Sequence, residues 1–273
     1  MQSYADIPWE SRLMDPSNER KPKPRYCGLT MIIDKGLGYL QFRDLLEIAA
    51  PHIDFIKLGF GTAGVTPIPL LRKKIQLAAE ADVHIYPGGT FFEIAHAQNQ
   101  TKNYLDTLRK IGFSWVEISD GTISMTAYER QKAIQLARSH SFKVITEIGK
   151  KAQGSFTPAA QLIEQFEADR LHGAEYVIVE GRESGKNIGV FDALGGLDEN
   201  YVSDVSKALD SNHLIWEAPL HKQQAAFIRL SGRDVNLGNI APGEVLSVEC
   251  LRRGLRADTF PFISFEPIGG AQG

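Results

Sequence analysis

The stretch KVITEIG at residues 143–149 is a short apolar run that ends in a carboxylate and a glycine. Its hydrophobic residues are continuous rather than strictly alternating, as in strands that are buried on both faces of a parallel sheet. The segment after it carries Leu162, Ile163 and Phe166 at helical spacing, which predicts an amphipathic helix. A buried strand followed by a covering helix is the repeating unit of an α/β fold.

The same unit recurs along the chain. Comparable apolar runs lie at 29–34, 53–58, 83–88, 115–120, 176–181, 214–219 and 234–238. Glycines such as Gly112 and Gly173 come just before the next run, where a helix often ends in a left-handed residue. About eight such units in 273 residues predict a single-domain (β/α)₈ barrel of the TIM class, because an open doubly wound sheet would need fewer strands and a reversal of strand order.

The two ends of the chain differ from this repeat. Residues 1–25 are polar and include KPKPR, whose prolines favour an extended conformation. The stretch 261–273 holds two prolines and ends in GGAQG. We therefore expect an extended N-terminal arm over 1–25, a TIM-barrel catalytic domain over 26–260 and a C-terminal tail over 261–273.

Composition argues against several classes of protein. The formal net charge is −3, so the chain lacks the overall positive charge that nucleic-acid binding requires. No apolar stretch approaches the roughly 18 residues of a membrane span, and the N-terminus is charged where a signal peptide is apolar. Cys27 and Cys250 have no metal-binding spacing. These features predict a cytoplasmic protein with reduced thiols and without nucleic-acid or membrane partners.

Acidic residues stand at the ends of four predicted strands. Asp120, Glu147, Glu180 and Glu217 end consecutive or nearly consecutive runs, and catalytic groups of (β/α)₈ barrels sit at the C-terminal ends of strands. Buried ionisable groups are costly unless they pair or bind something. Converging carboxylates suit Mg²⁺, which prefers oxygen ligands. The alternative for each acid alone is a salt bridge to a neighbouring strand-end cation.

Cations and glycine-rich loops accompany these acids. Arg182 can hold a carboxylate or phosphate through two hydrogen bonds, and backbone amides of glycine-rich loops can face an anion. The candidates for binding an anionic substrate are Lys35, Gly89, Arg182, Lys186, Asn236, Gly238 and Asn239. Lys57, Lys150 and Lys151 are the candidate catalytic residues. An ion pair that closes the barrel mouth is the alternative role for Lys57.

The strand ends together resemble one protein family, the phosphosulfolactate synthases, between about Gly28 and Phe260. The segments that carry this resemblance are DKGLG (34–38), DFIKLGFGT (54–62), YPGGTFFE (86–93), VEISDGTI (116–123), TEIGKK (146–151), VEGRESGKNIG (179–189), WEAP (216–219), QQAAFI (223–228), VNLGNI (235–240) and LRRGLRADT (251–259). Heat-stress-associated plant proteins are more distant relatives. The GRESG and EIGKK segments are enzyme-like and favour the synthases.

The resemblance implies a carbon–sulfur lyase that adds sulfite to phosphoenolpyruvate with Mg²⁺ and gives phosphosulfolactate of 2R configuration. In methanogens this product feeds coenzyme M biosynthesis, and in some bacteria it leads to sulfolactate. Sulfite would attack C3, and charge would build on the carboxylate as an enediolate, which Mg²⁺ and cationic side chains would stabilise. We also expect a homo-oligomer.

The resemblance further implies that a lysine after the fifth strand protonates C2 from one face only. Lys150 and Lys151 are both candidates, and we favour Lys151. We expect neighbouring cations to lower the pKa of this lysine, so that it can act as an acid near neutral pH.

Two other functions remain open from the sequence. A Schiff-base aldolase would use Lys57 or Lys150 in an apolar pocket without a metal. A non-catalytic barrel would bind a partner through its N-terminal arm, although such a scaffold gains nothing from charged residues buried at its strand ends.

Overall fold

Eight parallel strands form one sheet in the computed structural model, which describes residues 9–260. Every strand overlaps one of the predicted runs, so the predicted strand pattern is confirmed. The predicted tail at 261–273 and the first residues of the predicted arm, 1–8, lie outside the described residues. The strands are β1 (Thr30–Asp34), β2 (Phe55–Leu58), β3 (His84–Pro87), β4 (Trp115–Ile118), β5 (Lys143–Ile148), β6 (Ala174–Val179), β7 (Leu214–Glu217) and β8 (Leu237–Ile240).

Helices follow the strands and cover the outside of the sheet. Leu162 and Phe166 are buried on the helix after β5, as their spacing predicts. Within residues 9–260, no helix is both long and apolar enough to span a bilayer. The helices are α1 (Ser11–Met14), α2 (Tyr39–Ala49), α3 (Thr62–Val65), α4 (Ile68–Glu80), α5 (Gly89–Ala97), α6 (Thr101–Ile111), α7 (Ala127–Ser139), α8 (Ala159–His172), α9 (Glu199–Ala208), α10 (His221–Ser231) and α11 (Val245–Arg253).

The strand order is that of a barrel. Neighbouring strands pair in parallel in the order β3, β2, β1, β8, β7, β6, β5, β4, and β3 also lies against β4. The sheet is therefore nearly closed, and the prediction of a single-domain (β/α)₈ TIM barrel is confirmed. In this fold the C-terminal ends of all strands meet at one mouth.

The interior of the barrel is built in two layers. The lower layer is an apolar and aromatic cluster that includes Met31, Phe55, Tyr86, Trp115, Ile145, Ile178 and Ile215. Side chains alternate between the two faces of a strand, so the residues two positions further along also point inward. In five strands those positions carry ionisable residues, which are Lys57, Glu117, Glu147, Glu180 and Glu217. The strands thus place a polar layer above the apolar one, on the side of the mouth.

The described part of the N-terminal arm packs at the opposite end of the barrel. Arg25 Nη2 lies 2.8 Å from Asp54 Oδ2, just before β2. Arg20 Nη2 lies 3.1 Å from Glu249 Oε2 on α11. Both ion pairs are buried, so the arm is fastened to the base of the barrel, away from the mouth.

Candidate active site

Lys57 lies at the centre of the barrel mouth. Its Nζ is 3.1 Å from Glu117 Oε1, 2.8 Å from Glu147 Oε2 and 3.2 Å from Glu217 Oε1, and all four residues are buried. Burial alone would lower the pKa of Lys57, but the three carboxylates outweigh burial and raise the pKa well above its ordinary value. Lys57 is therefore a cation that holds the carboxylates together. A Schiff-base aldolase would need it as a neutral amine in an apolar pocket.

Three of the four predicted metal ligands come together in the polar layer. Glu147, Glu180 and Glu217 each offer a carboxylate oxygen, and these oxygens lie within 4.8 Å of one another. Glu180 Oε2 is buried and has no hydrogen-bond partner among the described residues. Burial, together with Glu147 and Glu217, raises the pKa of Glu180 well above its ordinary value. We call these three residues the carboxylate trio; they could hold a cation that prefers oxygen ligands.

The fourth predicted ligand, Asp120, lies apart from the carboxylate trio. Its Oδ1 accepts a hydrogen bond from Arg130 Nη1 at 2.9 Å, and its Oδ2 accepts one from Lys150 Nζ at 2.8 Å. Asp120 lies in the loop after β4, which ends at Ile118, and these two contacts direct its carboxylate toward α7 and the loop after β5. Contrary to the prediction, the structure gives Asp120 the salt-bridge role that was its alternative.

Lys151 reaches the mouth from the loop after β5. Its Nζ lies 2.9 Å from Glu147 Oε1, 3.0 Å from Glu93 Oε1 and 3.2 Å from Ser119 Oγ. Burial and Lys57 lower the pKa of Lys151, but Glu147 and the other carboxylates outweigh them and raise the pKa. The expected lowering by neighbouring cations is therefore wrong, because carboxylates outnumber cations around this lysine. Lys151 instead keeps its proton and holds it at the mouth.

Lys150, the other candidate proton donor, faces away from the carboxylate trio. Its exposed side chain donates to the carbonyl oxygens of Asp120 at 2.7 Å and Ile123 at 2.9 Å, besides the Asp120 carboxylate. These contacts fasten the loop after β4 from outside. The structure therefore separates two adjacent lysines that are both candidates in the sequence, and only the favoured one, Lys151, contacts the carboxylate trio.

Three of the residues predicted to bind an anion lie around the entrance to the mouth. Asn239 and Arg182 line it; Asn239 is buried, whereas Arg182 is exposed. Lys35 Nζ lies 2.7 Å from Glu183 Oε2, which connects the loop after β1 with the loop after β6. These cationic and amide groups stand where an anionic substrate would enter.

Two further candidates are placed differently. Lys186 is exposed further along the loop after β6, outside the described lining of the mouth. The Gly89 amide donates to Glu117 Oε1 at 2.7 Å, so it orients a buried carboxylate instead of facing an open pocket.

Asn236 lies at the base of the barrel, contrary to the prediction, and Gly238 lies within β8, where it pairs with Glu217 of β7. Asn236 Oδ1 accepts from the Leu29 amide at 2.9 Å, and its side-chain amide donates to the Leu214 carbonyl at 3.0 Å, so it ties strand starts together at the base. A Cβ at Gly238 would come within 2.4 Å of Met31 Cε, which makes this glycine a packing residue. The reason is register: β8 begins at Leu237, later than the predicted run at 234–238.

Known proteins align with most of this chain. Residues 18–258 match the family described as (2R)-phospho-3-sulfolactate synthase (ComA). The chain is 44% identical over 238 residues to the phosphosulfolactate synthase of Methanocaldococcus jannaschii, which covers 85% of this chain and 94% of that protein. It is 37% identical over 245 residues to the phosphosulfolactate synthase of Bacillus subtilis, with 88% and 95% covered.

The chain belongs to the phosphosulfolactate synthase family. The family expected from the strand-end segments is thereby confirmed, and the family match begins earlier than the expected Gly28, within the arm.

Solved structures agree with this family member in fold. The 3-hexulose-6-phosphate synthase of Salmonella typhimurium superposes with a TM-score of 0.55 at 11% identity, covering 82% of this chain and 98% of that one. The 3-keto-L-gulonate-6-phosphate decarboxylase of Vibrio cholerae gives 0.54 at 10% identity, covering 87% and 99%. At such low identity these similarities concern the fold alone.

Glu117 of this phosphosulfolactate synthase family member was not among the predicted site residues. Burial raises its pKa to about 7, against the opposing effect of Lys57, and its Oε2 has no partner among the described residues. The sequence signal was an acid between Val116 and Ile118 inside an otherwise apolar run.

Glu93 was also missed, since it lies on α5 and not at a strand end. It is almost fully buried and accepts hydrogen bonds from Ser119 Oγ at 2.5 Å and the Gly121 amide at 2.9 Å. Burial alone would raise the pKa of Glu93, but Lys151 and the hydroxyl donors outweigh burial and lower it. A charged residue directly after the buried Phe92 was the available signal.

Proposed function

We propose that this family member adds sulfite to phosphoenolpyruvate, forming a carbon–sulfur bond, with Mg²⁺ as its cofactor. The observation that carries the proposal is a lysine in contact with a group of converging carboxylates, with Lys151 Nζ 2.9 Å from Glu147 Oε1. An addition that passes through an enediolate needs charge stabilisation at the substrate carboxylate and a proton donor at carbon. The mouth has groups suited to both tasks.

The carboxylate trio fits Mg²⁺ in its chemistry. All three side chains offer oxygen ligands, which this ion prefers, and the buried Glu180 Oε2 lacks a hydrogen-bond partner within residues 9–260. When bound there, Mg²⁺ would supply Lewis-acid stabilisation of the negative charge on the substrate carboxylate. Lys57 would keep Glu147 and Glu217 in place through its own contacts.

The cationic residues at the entrance would bind the substrate anions. Arg182 and Lys35 provide positive charge, and Asn239 provides an amide inside the rim. Because Lys35 already contacts Glu183 at 2.7 Å, an incoming phosphate would compete with that carboxylate for the ammonium group.

Lys151 would then complete the reaction. Attack of the sulfite sulfur on C3 moves the π electrons of the double bond toward C2 and the carboxylate. Transfer of a proton from the Lys151 ammonium to C2 gives the saturated product, and the neutral amine regains a proton from solvent. Because the ammonium is held on one side of the mouth by Glu93 and Ser119, the proton would reach a single face of C2.

Phosphorus NMR of phosphoenolpyruvate tests this proposal. With enzyme, Mg²⁺ and sulfite, the substrate resonance should be replaced by that of a saturated phosphate ester; without sulfite it should persist. Conversion without sulfite, or full conversion after exhaustive chelation, would contradict the assigned nucleophile or cofactor respectively. Borohydride in the presence of a carbonyl substrate should leave Lys57 and Lys150 unmodified, since trapping at either would indicate the aldolase instead.

A further inference from the structure

Glu93 connects the proposed proton donor to the loop that supports it. One of its carboxylate oxygens, Oε1, lies 3.0 Å from Lys151 Nζ and also accepts from the Gly121 amide at 2.9 Å. The other, Oε2, accepts from both the amide and the hydroxyl of Thr122. Glu93 is almost fully buried, so these bonds form in a low-dielectric environment, where they are strong.

The loop after β4 is in turn the surface on which Lys151 rests. The Lys151 amide donates to the Gly121 carbonyl at 3.0 Å. A Cβ at Gly121 would lie 2.8 to 2.9 Å from Cγ, Cδ and Cε of Lys151, which shows that the aliphatic stem passes directly over this glycine. Glu93 therefore fixes Lys151 twice, at its ammonium group and through the loop beneath its stem.

The second carboxylate at the Lys151 ammonium, Glu147, has other partners. It belongs to the carboxylate trio and also binds Lys57 at 2.8 Å. Glu93 contacts neither Lys57 nor the trio in the described structure, and its polar contacts are with Lys151, Ser119 and the loop after β4. Of these two carboxylates, Glu93 is therefore the one whose described contacts are confined to Lys151 and its support.

We infer that Glu93 is the positioning residue that directs the Lys151 ammonium to one face of C2, and thereby sets the configuration of the product. This inference rests on the proposed function. Glu93 itself gains and loses no proton in the step. The N–H bond of Lys151 breaks, the C2–H bond forms, and Glu93 only keeps the donor in place.

The test compares two substitutions at the same hydrogen-bond cluster. Glu93→Gln keeps the size of the side chain but removes the charge that holds the ammonium. Thr122→Val, the matched control, removes one hydroxyl contact of Glu93 and leaves its contact with Lys151. Measured quantities are kcat, KM for phosphoenolpyruvate, and the ratio of 2R to 2S product by chiral chromatography.

For Glu93→Gln we expect kcat to fall by about 10- to 100-fold, part of the range for loss of a general acid. KM should stay within about twofold, because the anion-binding residues are untouched, and 2S product should become detectable. Thr122→Val should keep 2R product alone. A Glu93→Gln enzyme with unchanged kcat and only 2R product would overturn the inference, as would loss of configuration in Thr122→Val to the same extent.

A crystal structure of Glu93→Gln separates this inference from the proposed function. If the wild-type enzyme fails to convert phosphoenolpyruvate with sulfite, the proposed function is wrong, but the positioning role is still tested by coordinates alone. We expect Lys151 Nζ to leave hydrogen-bond distance of Ser119 Oγ, which is 3.2 Å in the wild type. An unmoved ammonium would show that Glu93 does not position it.

Discussion

At the residue scale, the mouth concentrates more negative than positive charge. The carboxylates of Glu93 and Glu117 and those of the carboxylate trio surround the ammonium groups of Lys57 and Lys151. Carboxylates without a counter-charge are unfavourable in a buried environment. Burial is the largest cause of the raised pKa of Glu180, and the negative charges of Glu147 and Glu217 raise it further. A divalent cation or protonation of the excess acids would relieve this imbalance.

Binding of Mg²⁺ should depend on the Glu180 carboxylate. Glu180→Gln should weaken Mg²⁺ binding by at least about 10- to 100-fold, a loss typical of damage to a metal site, while the fold is retained. Isothermal calorimetry on the wild type and the variant measures this. Asp120→Asn is the control, since Asp120 lies apart from the carboxylate trio, on Arg130 and Lys150; an equal loss in both variants would return Asp120 to the metal site.

The second residue-scale prediction separates the adjacent lysines. Lys151→Ala should reduce the single-turnover rate by about 10²–10⁴-fold, the usual cost of losing a general acid, with little change in phosphoenolpyruvate affinity. Lys150→Ala should change the rate far less, because its ammonium binds the outside of the loop after β4. If Lys150→Ala is the inactive variant, the donor has been assigned to the wrong lysine.

At the element scale, loops carry the anion-binding groups and need external support. The loop between β6 and α9 holds Arg182, which lines the mouth. Gln223, buried on α10, donates to the carbonyls of Gly185 at 2.7 Å and Gly195 at 3.2 Å in this loop. One helix side chain therefore fastens both arms of the loop that presents Arg182.

Gln223→Ala should loosen this loop. Losing two buried hydrogen bonds at about 1 kcal/mol each should speed amide hydrogen exchange over residues 182–197 by up to about 30-fold, and raise KM for phosphoenolpyruvate. Gln224→Ala is the control, because Gln224 donates to Ala218 and Glu244 and not to the loop. Equal rates of amide hydrogen exchange over residues 182–197 in the wild type and in Gln223→Ala would mean that the loop is held by other contacts.

In the molecule as a whole, the two ends of the barrel differ in structure. The mouth gathers the polar layer, whereas the base is closed by buried ion pairs between the arm and the barrel, including Arg20 with Glu249. His52 is buried there, and its Nδ1 lies 3.5 Å from Glu249 Oε1. Burial, together with nearby arginines, lowers the pKa of His52 to about 4.

The burial of His52 at this end of the barrel predicts a loss of stability in mild acid. The folded pKa of His52, about 4, lies below the unfolded value of 6.5, so the unfolded chain binds the proton first. The free energy of unfolding should therefore fall as pH decreases from 6.5 to 4, by on the order of 2–3 kcal/mol from this residue. Denaturant unfolding at several pH values should show a shallower decline for His52→Asn than for the wild type.

A control histidine distinguishes this effect from general acid sensitivity. His172→Asn, at the end of α8, should follow the wild-type pH dependence. An identical decline in His52→Asn and the wild type would show that other groups govern acid stability.

The barrel and the positions of its strand-end acids could be predicted from the sequence alone. Continuous apolar runs such as KVITEIG are typical of strands that are buried on both faces, and their spacing along the chain matches the eight parallel strands of the barrel. The sequence also places Glu147, Glu180 and Glu217 at the C-terminal ends of predicted strands, which any (β/α)₈ barrel brings to one mouth. These features depend on local periodicity, which a single sequence displays.

Which of those residues face one another depends on the tertiary structure. Glu117 points into the barrel from β4, whereas Asp120, in the loop that follows, pairs with Arg130 and Lys150. Because β8 begins only at Leu237, Asn236 lies at the base. Glu93 joins the site from a helix, through a contact with Lys151 that spans 58 positions of the chain. Strand register and long-range packing fix such contacts, and both depend on all the elements of the barrel at once.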